Sequence, residues 1–389
     1  MVDAESRREG ERPSLEGRVV DEGDRGSSLA EGADRRGIAS ALNLHVRNFE
    51  VRVSVRVVAH VVLFGVAWSG HRIPGTLFSI PISGRSRSST SLDILRERTG
   101  SPMVAADSRT PTSVAPIRHI SCGLARPLGA RLFPRRFQGH MECHCLVVGE
   151  ADRLVLIDAG LSLEEQERPK LLGPLARSLG FVAAPERAAV RQLAELGLDP
   201  GAVTDIVMTH LDLDHVGGVR DFPEARVHVH AREASAARAR RSFGEKLRYR
   251  PYQLSGVDLV THGDAESEAV ATRTADGQWV GTIPVLEIGG WRVELVPFFG
   301  HTRGHCGVRL HGERGEMLHV GDAYYDRSEL TLPGGLFFDF FRRTLNVEPR
   351  RAATVRECLR EWADNGVEVF SSHDPGEFAR AVEATRSPR

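Results

Sequence analysis

A chain of 389 residues with 51 Lys and Arg against 52 Asp and Glu has a formal net charge of −1. So balanced a charge gives no global field toward nucleic acid or an acidic membrane surface, while the length leaves room for two or three domains. The five scattered cysteines, an odd number, do not suggest a disulfide framework and fit a reducing cytoplasm.

The amino terminus opens on charged residues with no apolar core behind them, so no signal peptide is expected. Residues 1–112 read as a low-complexity, mostly disordered region that contributes nothing to the chemistry. Stretches such as Ser83-Gly84-Arg85-Ser86-Arg87-Ser88-Ser89-Thr90 cannot bury enough apolar area to offset the entropy of ordering. Val51, Val53, Val55 and Val57 alternate as in a lone hairpin, which is marginal in water. The apolar run Val57 to Trp68 falls short of the about 20 residues that span a bilayer. It reads as a buried strand, with an interfacial segment or a cryptic signal core left open. Met103 precedes the patterned part closely and is a candidate start; a chain beginning there is expected to fold like the full length.

Residues 113–389 read as one domain. Pro116 to Ile120, Glu142 to Val148 and Arg153 to Ile157 are strand-like, the last two joined by a turn at Gly149 to Asp152 and the last ending at Asp158. Cys143 and Cys145 flank His144, an alternation that reads as a buried sheet face rather than a metal site. Pro185 to Leu196 has helical spacing, with Pro near its start and Gly197 near its stop.

Asp205-Ile206-Val207-Met208 is a short buried-strand pattern. It delivers Thr209-His210-Leu211-Asp212-Leu213-Asp214-His215-Val216-Gly217-Gly218 into a tight turn, where the glycines let the chain swing into a helix. A capped polar turn accounts for one Asp but not for two imidazoles and two carboxylates. Alternate residues point one way and the Asp214-His215 pair the other, so the run can face two metal ions. Arg226 to His230 is a further strand in which His228 and His230 read as ordinary sheet histidines, and Ala231 to Arg241 is a basic helix. Tyr249, Tyr252 and Trp279 lie in a long irregular segment that either roofs a site or is a surface excursion. Trp291 to Val296, His305 to Leu310 and Glu316 to Val320 form a second set of strands. Pro349 to Trp362 is an amphipathic helix, Val367 to Ser372 a last strand and Pro375 to Ala384 a closing helix.

The ligand-rich turn resembles the H-x-H-x-D-H signature of the metallo-β-lactamase-fold hydrolases, with Asp212 where the second His usually stands. The order of the other pieces is similar too: Leu154 to Gly160 resembles the family's strand-Asp-x-Gly turn. Gly300-His301-Thr302-Arg303-Gly304-His305 resembles its G-H-T-x-G-H loop, His319 to Ala323 its strand ending in a bridging Asp, and Ser371 to Asp374 its final metal His. The resemblance covers roughly residues 115 to 389. It implies an α+β, four-layer αββα sandwich and a dinuclear hydrolase.

In that pattern one metal takes His210, Asp212 and His301, the other takes Asp214, His215 and His373, and Asp322 bridges both. Asp158 supports the ligand turn, and His305 is a supporting residue rather than a ligand. Two divalent ions, zinc or alternatively iron or manganese, would activate a bridging hydroxide, so no protein nucleophile is needed. The third carboxylate lowers the net charge of such a site by one and, being harder than imidazole, favours iron and manganese as competitors of zinc. A carboxylate at this motif position is similar to the flavodiiron oxygen reductases, but the chain shows no flavin-binding domain.

Tyr325, three residues after Asp322, matches the offset of a substrate-carbonyl Tyr in the N-acyl-homoserine lactonases of this fold; the other reading is an aromatic packed on the core. The Phe337-Phe338 and Phe340-Phe341 pairs could line an acyl pocket, cover the site, form a dimer patch or lie buried under a helix. The expected reaction is hydrolysis of a lactone or another ester-like carboxylic derivative, with Asp214 as proton carrier and Tyr325 as oxyanion donor. The alternatives are a thioesterase resembling glyoxalase II, a β-lactamase-like hydrolase, or a diiron redox protein. The expected partner is a small-molecule substrate, without nucleic acid or membrane, and a homodimer is possible.

Overall fold

The computed structural model describes residues 97–99, 114–127, 139–173, 179–331 and 342–386. The valine alternation at 51–57, the apolar run 57–68 and the Phe-rich segment 336–341 lie outside these residues.

Side-chain alternation along the strands builds the layers. In β3 (Met141–Glu150), Cys145 and Val147 face one core while Leu146 and Val148 face another. In β4 (Arg153–Ile157), Leu154 and Leu156 join the first core, and Val155 and Ile157 the second. Strands apolar on both faces must be covered on both. The inner cover is a second sheet, which sends Trp291, Val293, Leu295, Val308 and Leu310 into the shared core. The outer cover is helical. Ala189 and Leu193 of helix Ala189–Glu195, and Ala234 and Ala237 of helix Ala231–Ala239, pack on the first sheet. Val355, Leu359 and Trp362 of helix Pro349–Asp364 pack on the second. The result is the expected four-layer αββα sandwich.

The first sheet has seven strands in the order β1-β7-β6-β5-β4-β3-β2, comprising β1 (Glu97–Thr99), β2 (Ile117–Ala125), β3, β4, β5 (Val203–Val207), β6 (Arg226–His230) and β7 (Asp258–His262). β4, β5, β6 and β7 run parallel to one another, whereas β2 pairs antiparallel with β3 and β3 with β4, the β3–β4 turn pairing Glu150 with Arg153. A two-stranded ribbon, β8 (Thr272–Arg273) and β9 (Trp279–Val280), stands apart. The second sheet is β10 (Ile283–Ile288), β11 (Trp291–Pro297), β12 (Cys306–Gly312), β13 (Gly315–His319) and β14 (Val369–Phe370). It is antiparallel as far as β13, with β14 added in parallel.

Several local expectations shift. β1 pairs in parallel with Leu259–Thr261 of β7, so residues 97–99 of the upstream region belong to the sheet rather than lying outside it. β2 extends five residues beyond Ile120, because Ala125 still finds a partner in Met141. The helix after the ligand turn begins at Leu213, ahead of the glycine pair. Those glycines answer to close packing instead: a Cβ on Gly218 would lie 2.1 Å from the Ala159 carbonyl oxygen. None of the described helices is long and apolar enough to cross a membrane.

A histidine pair, one buried and one half-buried, makes stability pH-dependent. His230 and His262 are register partners on β6 and β7. Burial, reinforced by Arg232 at His230 and by His228 at His262, lowers each to about 4. Both are therefore neutral in the folded protein at pH 5, while the unfolded chain binds protons near pH 6.5. Their contribution is complete above the unfolded value and is lost as pH falls through the window from about 6.5 to about 4. Urea midpoints on metal-free protein are expected to fall from pH 7 to pH 4.5, and His262→Gln to flatten the slope. An unchanged slope in that variant contradicts the assignment.

Candidate metal centre

The carboxyl ends of β4 and β5 and the turns following β11, β13 and β14 converge at one rim of the sandwich. β4 ends at Asp158, which takes a left-handed φ of 55°. That geometry lets its carboxylate reach across to β5: Oδ1 accepts the Thr209 N–H at 2.8 Å, and Oδ2 accepts the Thr209 hydroxyl and His215 Nδ1–H at 2.8 Å each. Burial opposes the charge on Asp158, but His215 outweighs it and holds the carboxyl below its ordinary range. Asp158 thus orients the ligand turn without entering it, as the resemblance implied.

Every imidazole of the cluster has Nδ1 engaged on its outer side. His215 meets Asp158, His210 meets Thr209 Oγ1 at 2.9 Å, His301 meets Asn346 Oδ1 at 3.3 Å, and His373 donates to the Glu142 carbonyl at 2.6 Å. Fixing Nδ1 in this way turns each Nε2 inward as a lone-pair donor, the usual arrangement of metal-binding histidines.

The inward atoms form two groups joined by Asp322. In the first, His210 Nε2 is 3.5 Å and His301 Nε2 is 3.1 Å from Asp212 Oδ2, and the same nitrogens are 4.0 and 3.4 Å from Asp322 Oδ2. In the second, His215 and His373 Nε2 are each 3.1 Å from Asp322 Oδ1, and His373 Nε2 is 3.8 Å from Asp214 Oδ2. Ligands at about 2.0–2.1 Å from a tetrahedral ion stand about 3.3 Å apart, so both groups have metal spacing. Nε2 of His210 and of His215, with one oxygen each of Asp212 and Asp322, are buried without a hydrogen bond among the described residues. Orphaned buried polar atoms in one cluster are costly unless a cation joins them. The residues expected as ligands thus lie in one cluster: His210, Asp212 and His301 form one group, Asp214, His215 and His373 another, and Asp322 groups with His210 and His215.

Asp322 is seated by its own backbone. Its N–H donates to His305 Nε2 at 3.0 Å, and His305 Nδ1 donates to the Phe298 carbonyl at 3.1 Å. Both ring nitrogens of His305 are thereby used, so it supports the site and does not ligate. Gly321 must be glycine: its φ is 56°, and a Cβ would stand 2.6 Å from His305 Nε2. Burial disfavours the Asp322 carboxylate, yet His373, His215 and His301 together hold it well below the carboxylate range.

Two buried groups that bind the site carry no motif. Glu233, fully buried at 0% exposure, braces both ligand loops. Oε1 accepts the Leu211 N–H and Oε2 the Gly304 N–H, each at 3.0 Å, while the Thr302 hydroxyl donates to Oε2 at 2.7 Å. Arg248 sends Nη1 to Asp212 Oδ2 at 2.7 Å and to His301 Nε2 at 3.2 Å. The segment expected to be irregular instead carries two short helices, Phe243–Arg248 and Pro251–Leu254, and covers the site through Arg248, whereas Trp279 packs against Trp362.

Tyr325 is buried and lies against both groups. Its ring stacks on His373 with centroids 5.6 Å apart, and its hydroxyl is 3.2 Å from His301 Nδ1. A small open cleft, of about 40 Å³, is lined by Asp212, Asp214, His301, Asp322 and His373 together with Met141, Leu179, Leu213 and Leu345.

Comparison with known proteins gives the family. The family model described as the metallo-beta-lactamase superfamily matches residues 139–362. A "probable metallo-hydrolase" of Mycobacterium tuberculosis is 35% identical over 276 residues, spanning 70% of this chain and 80% of that protein. An "N-acyl homoserine lactonase AiiB" of Agrobacterium fabrum is 25% identical over 60% of this chain and 80% of its own. An "acyl-coenzyme A thioesterase MBLAC2" of Gallus gallus is 27% identical over 52% of this chain and 66% of its own. With the family's fold and ligand order both present, the chain belongs to the metallo-beta-lactamase superfamily and is a metal-dependent hydrolase.

Proposed function

We propose that the chain hydrolyses a lactone or another ester-like carboxylic derivative through a centre of two divalent ions. His210, Asp212 and His301 would hold one ion, Asp214, His215 and His373 the other, and Asp322 both. Such ions, zinc in the first instance, supply a nucleophilic water at neutral pH and polarise a carbonyl oxygen. The observation that carries the substrate class is the lining of the cleft, in which carboxylates and Tyr325 stand beside aliphatic side chains. An acyl chain would lie along Met141, Leu179, Leu213 and Leu345, with the reacting carbonyl toward the carboxylates. The lactonase relatives favour the same reading.

Within this scheme Tyr325 donates its hydroxyl to the developing oxyanion. His373, stacked beneath the ring, and His301, against the hydroxyl, hold it in place. Asp214 faces the cleft and takes the proton released by water to the departing alkoxide. A thioester is the second reading, favoured by the similarity to an acyl-coenzyme A thioesterase.

The test is a panel of lactone, thioester, β-lactam and phosphodiester substrates, with zinc, manganese and iron supplied in turn. Lactones are expected to turn over fastest, and Tyr325→Phe to lose roughly 10- to 1000-fold in kcat. Lactone rates no better than the others refute the substrate, and an unaffected variant refutes the role of the tyrosine.

A further inference from the structure

We infer that Arg248 is an internal cation set against the first metal position, so that the two positions differ in affinity. The position at Asp214, His215, His373 and Asp322 fills first. The one at His210, Asp212 and His301 fills only as the guanidinium withdraws. The inference rests on the metal-hydrolase reading above.

Arg248 Nη1 reaches Asp212 Oδ2 at 2.7 Å and His301 Nε2 at 3.2 Å, and Nη2 donates to the Leu345 carbonyl. The two atoms that Nη1 meets are the same ones that converge with His210 Nε2 on the first position. A guanidinium only donates and does not lose its charge in a protein. An imidazole lone pair that accepts an N–H is not at the same time available to a cation. Repulsion between a guanidinium and a divalent ion sharing one carboxylate oxygen is large in so buried a place. At the second position the inward contacts are imidazole to carboxylate, His215 and His373 to Asp322 and His373 to Asp214.

The placement of Arg248 is built, not incidental. It ends the helix Phe243–Arg248, whose start is fixed by a capping box between Ser242 and Glu245. Glu245 Oε1 accepts Arg303 Nε at 2.7 Å, and Arg303 lies two residues from His301. On the other side Tyr249 is buried, its hydroxyl 3.0 Å from Glu233 Oε1, the oxygen that also accepts the Leu211 N–H. The backbone around Arg248 is thus tied to both ligand loops, and the residue itself is 3% exposed. The pairing also restores the charge that the Asp at 212 removes: carboxylate and guanidinium together are neutral, as an imidazole would be. Burial opposes charge on both, but each is held ionised by the other.

Zinc titration of metal-free, full-length protein against a chromophoric chelator reads the difference directly. Wild type is expected to take up one equivalent tightly and a second more weakly, in two resolved steps. Arg248→Met, which removes the competing cation, is expected to tighten the second step about 10- to 100-fold and merge the two. Arg248→Leu, which removes the charge with a shorter apolar side chain, should merge them as well, so either variant suffices if the other fails to fold by circular dichroism. Arg248→Lys keeps the charge and should keep two steps. Two equal equivalents in wild type, unchanged in Arg248→Met, overturn the inference while leaving the metal reading intact. No zinc uptake by any form overturns both.

Discussion

Asp322→Asn is expected to lower kcat/KM by about 10³-fold or more while leaving the fold intact. Asp322 is the residue whose two oxygens face both groups, Oδ1 toward His215 and His373 and Oδ2 toward His301 and His210. The amide keeps the shape and removes the charge on which the whole cluster centres. Its NH₂ also presents donors where cation-facing oxygens are needed. The backbone N–H bond to His305 is unaffected, so circular dichroism should match wild type. Loss below 10-fold, with metal content unchanged, contradicts a bridging role.

Metal removal is expected to abolish turnover and to lower stability together. An ion present at 1,000 times its dissociation constant contributes about 4 kcal/mol to the folded state. In a domain of this size that corresponds to a shift of roughly 10 °C in Tm. The physical source is the cluster itself, where buried donor atoms of His210, His215, Asp212 and Asp322 lack hydrogen bonds. Scanning calorimetry before and after chelation, followed by zinc re-addition, measures both effects. An unchanged Tm and full activity in the chelated protein contradict the account.

The proposed metal ligands were legible in the sequence because such chemistry allows few residue types, and the turns that present them fix the offsets. His210, Asp212, Asp214 and His215 come from one turn, and His301, Asp322 and His373 from turns that each follow a short strand. The sheets were legible because strands such as β3 and β4 are apolar on both faces. Arg248 was not, since it reaches Asp212 from 36 residues away and sits among other basic residues, Lys246 and Arg250, that look like a solvated helix face. Glu233 was hidden likewise, as a single acid in a helix of Ala and Arg whose burial depends on both ligand loops closing over it. Gly217 and Gly218 were legible as a special turn, but their cause is the approach of Glu165 and Ala159, which only the tertiary fold supplies. β1 escaped notice because three residues carry too little pattern to mark a strand.

Elemental analysis of full-length protein, purified without chelator, tests the central claim most directly when run beside His215→Ala and Asp322→Ala. The account predicts at least one equivalent of divalent metal per chain in wild type and its loss in both variants. Less than one equivalent in wild type, unchanged by either substitution, would contradict it.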